Sequence, residues 1–256
     1  MQTLPAAEYG QADPFEGTEW SVILAAGKSQ IDPDRARVAL AQLCETYWPP
    51  LYGYVRGRGY SVHDAQDLTQ GFFEHLIEHK IYTRTDREKG KFRSFLLASL
   101  KHFLSHARER EQALKRGGGH DFVPLDEARA QEAESLFRTH AGMSTIALPE
   151  DRIFERTWAE TLVATVLDRL RDAYNAEGKQ SVFEDFRGFI TITESQPTYS
   201  EMAAKMAVPE STLRSHVTRL RRRYRDILRS EVRRTVDSEA EVDGELRELL
   251  RVLSAA

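Results

Sequence analysis

Residues 199–217 read YSEMAAKMAVPESTLRSHV, and this stretch decides the fold class. Its apolar residues recur every three or four positions on both sides of a proline, which is typical of two amphipathic helices joined by a tight turn. Ser200 is the expected cap of the first helix, and Pro209 suits the first turn of the second, where its missing N–H costs nothing. The stretch therefore predicts a helix-turn-helix unit.

The second helix of this unit is predicted to carry two distinct faces. Apolar residues at helical spacing form the face directed to the core, and these are Leu213, Val217, Leu220 and Tyr224. The opposite face carries Ser211, Thr212, Arg214, Ser215, Thr218, Arg219 and Arg222. Arginine can pair with guanine in the major groove and hydroxyl groups can reach base edges or phosphates, so this face is predicted to bind duplex DNA. The alternative is a surface whose arginines only meet solvent.

Helical spacing of apolar residues recurs along most of the chain while strand patterns are scarce, so we predict an all-α fold. A first helix is expected over about residues 33–47, and Pro49 and Pro50 should break it. Two longer helices are predicted over about residues 64–80 and 91–116, and a short one in the C-terminal tail.

The length of 256 residues favours two modest domains, and 41% hydrophobic with 30% charged residues allows a core beneath a highly charged surface. The first helical domain is predicted over residues 18–116. The second, which contains the helix-turn-helix unit, is predicted over residues 151–236. An acidic linker over residues 117–150 joins them, and an acidic tail follows over residues 237–256.

Several classes of protein and site are disfavoured by composition. No apolar run approaches the ~20 residues that cross a bilayer, so we expect a cytoplasmic protein without membrane insertion. Cys44 is the only cysteine, which excludes an internal disulfide and a cysteine-based zinc cage. Two histidine pairs at helical spacing are His75 with His79 and His102 with His106. Neither has a third ligand, so neither a metal nor a cofactor is predicted.

Charge is strongly segregated along the chain, although its net value is only −4. Residues 91–116 contain seven Lys or Arg against two Glu, a net of +5, and residues 214–234 contain nine Arg against two acidic residues, a net of +7. The remaining residues must therefore sum to −16. Two basic segments in an acidic chain predict two separate contacts with a polyanion.

The basic segment over residues 91–116 also contains aromatic residues, among them Phe92, Phe95 and Phe103. Aromatic rings stack on unpaired bases and cations follow the phosphate backbone, so this segment is predicted to bind single-stranded nucleic acid. The alternative for most of these rings is burial in the core.

Three motifs in order along the chain carry a family resemblance. They are DAQDLTQGFF at residues 64–73, FRSFL at residues 92–96, and RLRRRY at residues 219–224, which ends the helix-turn-helix unit. Over about residues 20–236 the chain resembles the extracytoplasmic-function sigma factors of bacterial RNA polymerase. The family is not enzymatic, and its members bring core RNA polymerase to promoter DNA.

The resemblance implies a role for three groups of residues. Core polymerase would be bound by Asp64, Asp67, Gln70 and Glu74. The melted minus-ten strand would be bound by Arg84, Lys89, Lys91, Phe92 and Arg93. The predicted duplex-binding face, from Ser211 to Arg222, would read the minus-thirty-five element. An anti-sigma factor or a Ser/Thr kinase would be a further partner.

The sequence departs from the family pattern at several places. Gln66 stands where the family usually has Glu, and Ala207 stands where the turn usually has Gly. Because the polymerase contact has lost one charge, phosphorylation of the nearby Thr69 is a hypothesis for regulated docking. The alternative is that Thr69 is an ordinary helix residue and that Asp64, Asp67 and Glu74 suffice for docking. The stretch over residues 188–198 is longer than expected, and the acidic tail is additional.

Two other functions remain open at this stage. One is a helix-turn-helix regulator that binds duplex DNA without polymerase. The other is a helical adaptor whose arginines contact an acidic protein. The basic and aromatic segment over residues 91–116 favours the sigma factor, because a simple regulator needs no second site of this kind.

Overall fold

The computed structural model describes residues 46–79, 91–113, 127–142, 148–190, 198–236 and 238–255. These residues form α-helices and a few turns, and none of them belongs to a β-strand. The all-α prediction is confirmed for this part of the chain. No helix within these ranges is both long and apolar enough to cross a membrane.

The helices are numbered in chain order. The first five are α1 (residues 46–57), α2 (Val62–Glu78), α3 (Phe92–Ala113), α4 (Glu127–Gly142) and α5 (Glu150–Ala176). The others are α6 (Gln180–Phe186), followed by a 3-10 turn (Arg187–Phe189), then α7 (Tyr199–Met206), α8 (Glu210–Arg234) and α9 (Glu239–Ser254). The helices predicted over residues 64–80 and 91–116 and in the tail correspond in place to α2, α3 and α9.

Helix α1 contains Pro49 and Pro50, so the predicted break at this pair is wrong. Each proline lacks an N–H and cannot complete a helical hydrogen bond, which weakens the helix locally. The neighbouring side chains of Tyr47, Leu51 and Tyr52 are fully buried. Their burial outweighs the local preference, as tertiary packing often does.

One apolar cluster, the first core, is built around α1, α2 and α3. The buried residues of α2 and α3 recur about once per turn, as in Phe72 and Leu76 or in Leu96, Leu100 and Leu104. This spacing places each set on a single side of its helix. The rings of Phe72 and Phe103 lie 5.8 Å apart, so the two helices pack against each other along this stripe.

The first core also contains residues from far along the chain. The N-terminal half of α5 contributes Phe154, Trp158 and Leu162, and α9 contributes Val242, Leu249 and Val252. Helix α4, inside the predicted linker, contributes Ala130 and Ala133. Helices from both predicted domains therefore share one core, and the division into residues 18–116 and 151–236 stays a prediction.

A second apolar cluster, the second core, supports α7 and α8. It combines the C-terminal half of α5 with α6, the 3-10 turn and the apolar sides of α7 and α8. Its buried residues are Leu170, Tyr174, Phe183, Phe186, Phe189, Met202, Ala203, Leu213, Val217 and Leu220. Because α5 and α8 each contain residues of both cores, they connect the two clusters.

Candidate nucleic-acid interface

Helix α7 begins with a reciprocal capping box. The side-chain oxygen of Thr198 accepts a hydrogen bond from the N–H of Glu201 at 3.2 Å, and the Glu201 carboxylate accepts one from the N–H of Thr198 at 3.0 Å. The hydrogen bonds that the Thr198 N–H and then its hydroxyl donate to this carboxylate lower the pKa of Glu201. The expectation that Ser200 caps this helix is wrong, because Ser200 already lies inside it.

The turn after α7 contains a left-handed residue, Ala207, with φ 53° and ψ 41°. The N–H of Val208 donates to the carbonyl of Ala203 at 3.1 Å, and the N–H of Ala207 donates to that of Ala204 at 3.2 Å. This pair of bonds is the Schellman motif, in which glycine usually occupies the left-handed position. The chain therefore makes the glycine-type turn with alanine in its place.

Helix α8 starts at Glu210, directly after this turn. Pro209 precedes it in an extended conformation. The Pro209 carbonyl accepts hydrogen bonds from the N–H groups of Thr212 and Leu213. Leu213, Val217 and Leu220 are then fully or almost fully buried in the second core. Their spacing fixes which side of α8 meets solvent.

The seven residues predicted to form the duplex-binding face are all exposed on α8. They are Ser211, Thr212, Arg214, Ser215, Thr218, Arg219 and Arg222. The arginines and hydroxyl groups that were predicted from the sequence thus lie on one accessible side of the helix.

The arginines of this face differ in how firmly they are held. Arg214 is oriented by an ion pair with Glu210 and by the ring of Tyr199, whose centroid lies 4.5 Å from the guanidinium carbon. Arg222 has only a 3.9 Å contact with Asp226. Arg219 forms no ion pair or hydrogen bond with any residue that the structure describes, so its cation is available to an external anion.

Other arginines of α8 attach the helix to its support. Arg221 donates two hydrogen bonds to the carbonyl of Phe189, at 3.2 and 3.1 Å. Arg223 pairs with Glu177 and lies 5.0 Å from the centroid of the Tyr174 ring. Hydrogen bonds, first from Arg223 and then from Lys179, lower the pKa of Glu177 to about 2. These contacts, together with burial of the apolar side, fix the orientation of the exposed face.

The residues predicted to bind polymerase lie along one side of α2. Asp64 and Asp67 are exposed, and Gln70 and Glu74 are half-buried. Gln70 and Glu74 are linked by a side-chain contact of 3.4 Å. Their spacing of three and four residues gives a continuous polar and acidic strip on the helix.

Thr69, hypothesised as a phosphorylation site, faces the interior. Its side chain is 0% exposed, and its hydroxyl donates a hydrogen bond to the carbonyl of Ala65 at 2.7 Å. A kinase could not reach this hydroxyl in the folded protein. The burial of Thr69 therefore argues against the phosphorylation hypothesis.

Two residues of the predicted single-strand site, Lys91 and Arg93, are paired with α9. Phe92 is buried in the first core, and Arg93 is buried beside it. Lys91 forms an ion pair with Glu245 of α9 at 2.5 Å. Phe92 is thus enclosed by the core, and Lys91 and Arg93 are held by a carboxylate of α9, which differs from the prediction. Arg84 and Lys89, predicted for the same site, lie outside the described residues.

Arg93 is the centre of a buried charge cluster. Its Nε donates to Glu245 at 2.6 Å, and its Nη1 contacts Glu155. The guanidinium carbon lies 4.3 Å from the centroid of the Trp158 ring. Sequence reasoning missed this cluster because Arg93 and Glu245 are 152 residues apart, and only the acidity of the tail hinted at a basic partner.

The described ranges contain no group of three or more His, Cys, Asp or Glu residues that could hold a metal ion. The Nε2 atoms of His102 and His106 approach to 3.3 Å, but this is a pair of exposed residues.

No family model matches the chain, and neither a curated protein nor a solved structure matches it.

Proposed function

We propose that this protein is a sigma factor, which binds core RNA polymerase in the cytoplasm, recognises promoter DNA and assists strand opening. The observation that carries the proposal is the exposed arginine and hydroxyl face of α8, supported by the second core and preceded by the tight turn at Ala207. A helix held in this way can enter the major groove as a rigid unit.

In this proposal α7 and α8 act as a helix-turn-helix unit on the minus-thirty-five element. Arg219, which lacks a partner among the described residues, would contact a base edge or a phosphate. Arg214 would approach DNA in an orientation set by Glu210 and Tyr199. The hydroxyl groups of Ser211, Thr212, Ser215 and Thr218 would meet base edges or phosphates beside them.

The acidic strip on α2 is proposed to bind a basic surface of core polymerase. Exposed carboxylates such as Asp64 and Asp67 attract a basic partner at long range and set its orientation. Gln70 and Glu74 would extend this contact along the same side of the helix. The support is the family resemblance together with the accessibility of these four residues.

A second candidate is a regulator that binds duplex DNA without polymerase. One observation favours it, because the face of α8 is exposed whereas Lys91, Phe92 and Arg93 are covered or paired by α9 and the first core. A protein that never binds a melted strand would not need to free these three residues.

Both candidate functions require the α8 face to bind duplex DNA, and a binding measurement tests this requirement. We expect Arg219→Ala to weaken binding to a selected duplex by ~1–3 kcal/mol and to relax its sequence preference. Arg247→Ala is the matched control, because it removes one exposed arginine from α9 instead of α8. Equal effects of the two changes would overturn the assignment of the α8 face. Stable binding of the same protein to core polymerase then separates the sigma factor from the regulator.

A further inference from the structure

Helix α9 has an acidic composition that is matched to the basic segments of the chain. It contains five acidic residues and two arginines, which gives a net charge of −3. On one side its residue Glu245 pairs with Lys91 and Arg93, at the start of the first basic segment. Glu248 lies 3.9 Å from Arg93 and reinforces the same contact.

The same helix also pairs with the second basic segment. Asp243 accepts a hydrogen bond from Arg229 of α8 at 2.6 Å, and Glu239 lies 2.9 Å from Arg233. One acidic helix therefore contacts members of both segments that the sequence singled out as sites for a polyanion. The carboxylates of α9 thus neutralise cations that the phosphates of a nucleic acid could neutralise instead.

The position of Glu245 adds a second argument. Its side chain is 1% exposed, and removing a carboxylate from water is so unfavourable that buried ion pairs are weak sources of stability. An apolar residue would fill this position on α9 as Val242 and Leu249 fill theirs. The carboxylate is therefore explained better by the cations that it neutralises than by packing.

We propose that α9 is a built-in competitor of single-stranded nucleic acid, which occupies the Lys91 and Arg93 site through Glu245 and Glu248. This inference rests on the proposed function, since it assigns regulation to the same single-strand site. A strand can bind there only when α9 leaves. The apparent affinity of the free protein for a single strand is therefore its intrinsic affinity multiplied by the fraction of molecules in which α9 is displaced. Promoter opening is thereby coupled to release of the C-terminal helix.

The test compares three forms of the full chain for binding a fluorescent single-stranded oligonucleotide of about 15 nucleotides. Glu245→Gln with Glu248→Gln weakens the contact with Lys91 and Arg93 while keeping the side-chain shapes. Asp168→Asn with Asp172→Asn removes the same charge from exposed positions on α5. We expect the first pair to tighten single-strand binding by roughly 5–150-fold and the control pair to leave it nearly unchanged. Equal binding by all three forms would overturn the competition.

A second measurement uses the unaltered protein, so that its result does not depend on correct folding of the Glu245 and Glu248 variant. Hydrogen exchange of amides in residues 239–254 is followed with and without a saturating amount of the same oligonucleotide. Displacement of α9 predicts faster exchange when the strand is bound. Unchanged or slower exchange would show that the strand binds without moving α9.

Duplex binding by the same samples distinguishes failure of the inference about α9 from failure of the proposed function. If a selected duplex binds and Arg219→Ala weakens it, while the Glu245 and Glu248 variant gains no single-strand affinity, the inference about α9 fails alone. If no duplex binds at all, the proposed function fails and the inference falls with it.

Discussion

Replacing Ala207 by glycine should stabilise the protein, because Ala207 adopts a left-handed conformation in the turn between α7 and α8. This conformation costs an L-residue roughly 1–2 kcal/mol, since Cβ approaches the following carbonyl. Glycine removes that cost. It also gives the unfolded chain more conformational entropy, which lowers the free energy of unfolding by ~0.4–1 kcal/mol. Ala207 is exposed, so loss of its methyl group removes little packing. The net expectation is a gain of about 0.8 kcal/mol, the difference between the midpoints of these two ranges.

Ala204→Gly provides a matched control for this change. Ala204 is also exposed but lies within α7, where glycine is less favourable than alanine by ~1 kcal/mol. Urea denaturation followed by circular dichroism should show a higher midpoint for Ala207→Gly and a lower one for Ala204→Gly, with the same slope. If both changes lower the midpoint, the left-handed turn is not formed and the geometry that orients α8 is incorrect.

Two further predictions concern the cap of α7 and the acid stability of the contact between Glu134 of α4 and α1. Thr198→Ala should lower the free energy of unfolding by ~1 kcal/mol because it removes the cap, whereas Ser200→Ala should have little effect; equal losses in denaturation would argue against this capping box. Burial alone would raise the pKa of Glu134, but hydrogen bonds from Arg56, Tyr52 and Arg138 hold it at about 2, below its ordinary value of 4.5. The resulting stabilisation is present above pH 4.5 and is lost as the pH falls toward 2, so the difference in unfolding free energy between the unaltered protein and Glu134→Gln should shrink across this range. A difference that stays constant over these pH values would contradict the assigned pKa.

Local patterns in the sequence anticipate the helices and the exposed face of α8. The spacing of Leu213, Val217 and Leu220 determines which side of that helix is buried, so the opposite side could be named residue by residue. The burial of Thr69 is readable in the same way, because it falls on the helical stripe that includes Ala65 and Phe72. The pair Thr198 and Glu201 likewise has the spacing of a capping box.

Long-range pairing could not be anticipated from such patterns. The periodicity of α3 places Arg93 on the helix but does not reveal that Glu245 covers it from 152 residues away. The continuation of α1 through Pro49 and Pro50 likewise depends on burial of its neighbours in a core assembled from distant helices. Tertiary contacts decide both outcomes, and local propensity is overridden where they are extensive.

Promoter-dependent transcription by purified core RNA polymerase tests the proposed function most directly. The protein is added to core polymerase with duplex templates selected by its own binding, and full-length RNA is measured. A sigma factor predicts RNA that requires the protein, falls with Arg219→Ala or with Asp64→Asn and Asp67→Asn, and is unaffected by Arg247→Ala. A protein that binds the selected duplex but forms no complex with core polymerase and yields no RNA would contradict the proposal and identify a DNA-binding regulator instead.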